Sequence, residues 1–160
     1  MYRGLALPHG KVVAVRRPLL RKADKVLLVG GPIAMGLAAP MKVAFEERLE
    51  VLASPKARAD LLAKQVPSAG SATNVVVCLG HAEEELLRAA GLPASALAPV
   101  VADLLVALSP YRRLLWVHHK SDVIRSALEQ GGVLERLETN IDQPSARAFA
   151  ELAGKIRTIL

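Results

Sequence analysis

Four apolar runs constrain this chain more than any other feature: KVVAV at 11–15, KVLLVGG at 25–31, NVVVCLG at 74–80 and RLLWVHH at 113–119. None alternates between apolar and polar residues. A strand with one face in water alternates, whereas one covered on both faces reads as a continuous β-branched run, so these segments predict a parallel sheet with helices on both sides. Helical periods fill the gaps. Met41, Phe45, Leu49 and Leu52 recur at spacings of four, four and three, which predicts a helix following Pro40. A second helix is expected over 55–64, stopping before Pro67 and the SAGSAT turn. Pro99 stands near the start of a third, with Val101, Leu104, Leu105 and Leu108 on its apolar face. Ser121 can cap a fourth whose inner side carries Val123, Ile124 and Leu128, closed by the glycines at 131–132. A short strand is expected at 136–141, and a terminal helix with Phe149, Leu152, Ile156 and Leu160 on one face. The alternation predicts an α/β fold: a three-layer α/β/α sandwich with a mostly parallel, Rossmann-like sheet.

With 160 residues, 52% of them hydrophobic, the chain can bury one substantial core. The expected organisation is a basic segment with the first strand at 1–22, followed by an α/β domain at 23–160. Charged residues or proline interrupt every apolar stretch well short of 18 residues, so no transmembrane segment is expected. KVVAVRR holds only four apolar residues between charges, too few for a secretory signal. The single cysteine, Cys78, excludes an internal disulfide framework and suits a reducing compartment.

The formal charge of +6 is concentrated at the start. Arg3, Lys11, Arg16, Arg17, Arg21, Lys22 and Lys25 stand against Asp24 alone, which leaves the remaining residues neutral in sum. Such a segment suits an acidic protein surface, an acidic lipid surface or RNA, and Arg3, Lys11, Arg16, Arg17, Arg21 and Lys22 are the expected partner-binding residues. Nucleic acid is the less favoured of these, because the chain has only one Trp, two Tyr and two Phe for stacking. The scarcity of early acidic residues is also a property of organelle-targeting sequences; a mitochondrial location is the expectation and the cytoplasm its alternative.

KVLLVGGPIAMG, at 25–36, joins an expected strand to glycines, as phosphate loops do. It supplies Gly30, Gly31 and Gly36, yet it lacks the G-x-G-x-x-G spacing and any Lys-Ser/Thr pair, and Pro32 offers no N–H where one is wanted. A structural turn from strand to helix is the favoured reading. His118 and His119 are adjacent on a strand and so point to opposite faces, poorly placed to share a metal. Cys78 and His81, at the end of a neighbouring strand, could join them on one rim, but the spacing matches no zinc pattern and no metal is expected. Cys78 lies in a hydrophobic run that favours inert packing over thiolate chemistry. Glu83, Glu84 and Glu85 could serve as acid/base groups; a first helical turn favoured by its dipole is the preferred reading.

From Ala23 onward the chain resembles the C-terminal, nucleotide-binding domain of phosphoglycerate kinase. ADKVLLVGGPIAMGL is similar to the family's strand and Gly-Gly-Gly-Met-Ala turn, and SATNVVVCLGHAEEE stands where the family has Thr-Val-Val-Trp-Asn-Gly-Pro-Met-Gly-Val-Phe-Glu. ALAPVVADLLVAL resembles the helix opened by the family's catalytic Gly-Thr, and the chain from Leu114 to Lys155 tracks the closing portion. The resemblance implies a framework kept and a chemistry lost. RRPLLRK replaces the glycine- and lysine-rich loop after the first strand. Leu79-Gly80-His81 keeps only Gly80 of the Asn-Gly-Pro turn, Ala94-Ser95 replaces Gly-Thr, and His118-His119-Lys120-Ser121-Asp122 replaces Gly-Gly-Gly-Asp. The stretch between Leu52 and Ser71 is shorter than in the family, which implies that a strand and helix of the nucleotide cleft are missing. The implied function is a pseudoenzyme serving as a structural or accessory subunit of a larger protein or ribonucleoprotein assembly, with other subunits as partners and no cofactor. Its alternative is a weak nucleotide- or dinucleotide-binding module with a vestigial site at Gly30, Gly31, Gly36 and Gly80.

Overall fold

A computed structural model describes residues 25–65, 74–140 and 145–160. The strand expected at 11–15 and all six expected partner-binding residues, Arg3, Lys11, Arg16, Arg17, Arg21 and Lys22, lie outside the described residues. Five strands form one sheet: β1 (Val26–Gly30), β2 (Leu49–Ala53), β3 (Asn74–Cys78), β4 (Arg113–His119) and β5 (Arg136–Thr139). Their order is β2-β1-β3-β4-β5 and every pairing is parallel. This is the doubly wound order also found in flavodoxin, in which the chain reverses direction across the sheet between β1 and β3.

The missing alternation in the strands has the expected cause. Leu27 and Val29 of β1, Val75 and Val77 of β3 and Trp116 of β4 enter one core, and Val26, Leu28, Val76, Cys78, Leu115 and Val117 enter the other. The first core is closed by α2 (Ala59–Gln65), α3 (His81–Ala90), α4 (Ala98–Ala107) and α5 (Asp122–Gly131), the second by α1 (Pro32–Phe45) and α6 (Ala146–Ile159). The result is a three-layer α/β/α sandwich. No single helix among the described residues is long and apolar enough to cross a membrane.

Caps account for several boundaries. Ser121 Oγ accepts the Ile124 N–H at 3.2 Å at the start of α5, and Gly132, at φ +95°, ends that helix. Ser145 caps α6 in the same way through the Ala148 N–H. Val123, expected on the inner side of α5, is instead 39% exposed, because the helix buries Ile124, Ala127 and Leu128.

The helix expected after Pro40 is the main correction. Helix α1 begins at Pro32, holds Pro40 in its interior and ends at Phe45, where Glu46 turns the chain at φ 56°. Leu49 and Leu52 lie on the edge strand β2 and pack against opposite cores. Their spacing of three fits a helical face, but on a strand of period two it places them on opposite faces. The helix expected over 55–64 is present as α2, at Ala59–Gln65, and it follows the edge strand β2.

Candidate functional site

In open parallel sheets, ligands bind beyond the carboxyl ends of the strands, where the strand order reverses. Here a cleft of about 250 Å³ occupies that position, lined by Gly31, Pro32 and Ile33 after β1 and by Cys78 to Glu83 after β3, with Ala57 and His119 completing the walls. Of the four glycines expected at a vestigial nucleotide site, Gly30, Gly31 and Gly80 gather at this edge. Gly36 does not: it lies one turn into α1, where a Cβ would come within 2.2 Å of the Phe149 ring of α6.

The edge glycines have structural duties. Gly30 adopts φ +144°, and a Cβ there would meet the Cys78 carbonyl oxygen at 2.2 Å, so the two strand ends can approach only because it is glycine. Its own carbonyl accepts the Ser54 N–H at 3.0 Å, tying β1 to the end of β2. The Gly31 N–H, which a phosphate loop would aim at an anion, donates to the Cys78 carbonyl at 3.1 Å. Pro32 then opens α1 with no N–H to give. Gly80, at φ +148°, is the N-cap of α3 and accepts the Glu84 N–H at 2.8 Å.

The three successive glutamates diverge. Glu83 turns inward, 6% exposed, and its Oε2 accepts the Ala59 N–H at 2.9 Å, capping α2 from another element. Its Oε1 has no partner among the described residues. Glu84 Oε2 meets His119 Nε2 at 2.8 Å and its Oε1 accepts from Arg88 at 3.0 Å. Burial alone would raise the Glu84 carboxyl, but hydrogen bonds from Ser121 and His119 and the charges of His119 and Arg88 hold it below its usual range. Glu85 pairs with His81 at 3.3 Å, and the His81 ring meets His119 edge-on with centroids 5.5 Å apart.

The two histidines of β4 part as adjacent strand residues must. His119 reaches the cleft, and its Nδ1 is buried without a partner among the described residues. His118 is buried and its Nδ1–H donates to the His119 carbonyl at 2.8 Å. Desolvation holds its imidazole below the ordinary value, although that hydrogen bond opposes the shift. Cys78 is buried in the core under α1 and α6, and desolvation pushes its thiol far above its ordinary value. Among the described residues no three His, Cys, Asp or Glu side chains gather as a metal site.

Sequence reading found Gly80, His81 and His119 near this edge but not the inward turn of Glu83. The only signal was three glutamates at a helix start; which one turns inward depends on α2 arriving opposite it.

No family model matches the chain, and no curated protein matches it. Among solved structures it is similar to a pilus assembly-related protein from Burkholderia pseudomallei, with 15% sequence identity, 89% of this chain and 96% of that one covered, and a TM-score of 0.49.

Proposed function

We propose that this chain is a non-catalytic structural or accessory subunit of a larger protein or ribonucleoprotein assembly, built on a degenerate phosphoglycerate-kinase-like domain and held in place partly by its basic segment. One observation carries the reading: directly after β1, where a phosphate loop presents successive N–H donors to its anion, neither Gly31 nor Pro32 has one to give. The Gly31 N–H is bound to the Cys78 carbonyl, and Pro32 has no N–H. Phosphoryl transfer depends on preorganised donors aimed at the transferred group. With those donors engaged and the lysine- and glycine-rich loops of the family replaced, the same sheet is a scaffold. The concentration of positive charge in residues 1–25 supplies a contact to other subunits. A mitochondrial assembly is the favoured setting.

The test is mass spectrometry of what accompanies the native protein through size-exclusion of gently lysed cells. Elution with a reproducible set of subunits, far above the mass of one chain, is expected. Elution as a lone monomer overturns the reading.

A further inference from the structure

The cleft between β1 and β3 contains two polar atoms that the fold itself does not satisfy. Among the described residues Glu83 Oε1 and His119 Nδ1 are buried without partners, and both residues line the same cavity. A buried acceptor left unmade is costly, so such atoms are normally paired with protein, water or ligand. The second atom of each group is fixed. Glu83 Oε2 is held by the Ala59 N–H, and His119 Nε2 faces the Glu84 carboxylate, which accepts a proton rather than supplying one. In the neutral imidazole the hydrogen therefore sits on Nε2, and Nδ1 offers a lone pair. With that ring neutral and the Glu83 carboxylate beside it, both unsatisfied atoms are acceptors, in a cleft also lined by Pro32, Ile33, Ala57 and Leu79.

We propose that this cleft binds a small molecule carrying an N–H donor group on an apolar body: an amine, an amidine or an amino-substituted heterocycle. The donor group bridges Glu83 Oε1 and His119 Nδ1 while the body packs on the apolar walls. An anion is disfavoured, because it would meet the Glu83 carboxylate and the engaged Gly31 amide. The site is independent of the accessory-subunit reading and stands or falls without it.

The test uses the full chain at pH 8 with three probes followed by thermal shift and calorimetry: agmatine as a cationic amidine-type donor, adenine as a neutral amino-heterocycle, and inorganic phosphate. Agmatine, adenine or both should raise Tm by about 5 °C at tenfold above Kd, with phosphate inert. Which of the two binds separates the cationic from the neutral form. Glu83→Gln is the discriminating variant: its carbonyl can keep the Ala59 cap, and its NH₂ then replaces the free acceptor with a donor. Binding should weaken by about tenfold or more. His119→Gln, which places an amide near the Nε2 position facing Glu84 while deleting Nδ1, should weaken it similarly and guards against misfolding of the first variant. The proposal is overturned if neither nitrogen probe binds, if phosphate binds as well as they do, or if both variants bind like the wild type.

Discussion

At the scale of single residues, the glycines and histidines of the carboxyl edge show how one residue type answers to different causes. Gly30 and Gly80 are required by backbone conformation, Gly31 contributes an N–H directed into the fold, and Gly36 is required by a neighbouring ring. The sequence displayed four glycines beside strands; it could not display which carbonyl or ring lies opposite each, because those partners are between 39 and 113 positions away. The same applies to His118 and His119. Strand periodicity predicted that they diverge, while their different solvation depends on what covers each face. From that difference follows a pH dependence. His118 has a folded-state pKa below the unfolded value of about 6.5, so between the two the unfolded chain binds more protons and stability rises with rising pH. The stabilisation is present above about pH 6.5 and is lost as pH falls through the folded pKa. Urea midpoints should therefore drop between pH 7.5 and 5.5, with a contribution of up to about 1.4 kcal/mol per pH unit. His118→Asn, whose amide can still donate to the His119 carbonyl but does not titrate, should flatten that slope. An unchanged slope in the variant would assign the pH dependence elsewhere.

At the scale of elements, sequence period located most helices and strands, and failed where a helix ran into a strand without a break in spacing. Met41 and Phe45 belong to α1, and Leu49 and Leu52 continue their rhythm on β2. No proline or glycine marks the change; Glu46 takes the positive φ instead. The start of α1 was obscured by the glycines and proline at 30–32, which resemble a loop but turn the chain straight into a helix. That helix meets α6 through Gly36, and the contact makes a directional prediction. A methyl at Gly36 would overlap the Phe149 ring, so Gly36→Ala should destabilise by about 1–3 kcal/mol despite the better helix propensity of alanine. When Phe149→Leu removes the ring, the overlap disappears, and the Gly36→Ala step should become neutral or stabilising by about 0.5–1 kcal/mol. A double-mutant cycle in urea reads this directly. Equal costs in both backgrounds would mean that α1 and α6 are not packed through this position.

At the scale of the molecule, the sheet divides two apolar cores, and the large exposed apolar side chains are dispersed over both layers. Val43, 82% exposed, is on α1, while Val106, 73% exposed, is on α4 across the sheet. Side chains scattered in this way are ordinary surface, and an obligate apolar interface would need them contiguous. If the chain is a subunit of an assembly, charge is the better candidate for what holds it, and charge has a signature that apolar contact lacks. Screening shortens the Debye length from about 8 Å at 0.15 M salt to about 3 Å at 1 M, whereas apolar burial is not weakened by that change. The native protein should therefore leave its partners as salt rises over this range. Replacing Arg16, Arg17, Arg21 and Lys22 by Gln should release it already at 0.15 M, with its Tm unchanged. Sedimentation of lysates on gradients at the two salt concentrations measures both. Retention of the four-fold variant in the heavy fractions would show that the basic segment is not the attachment.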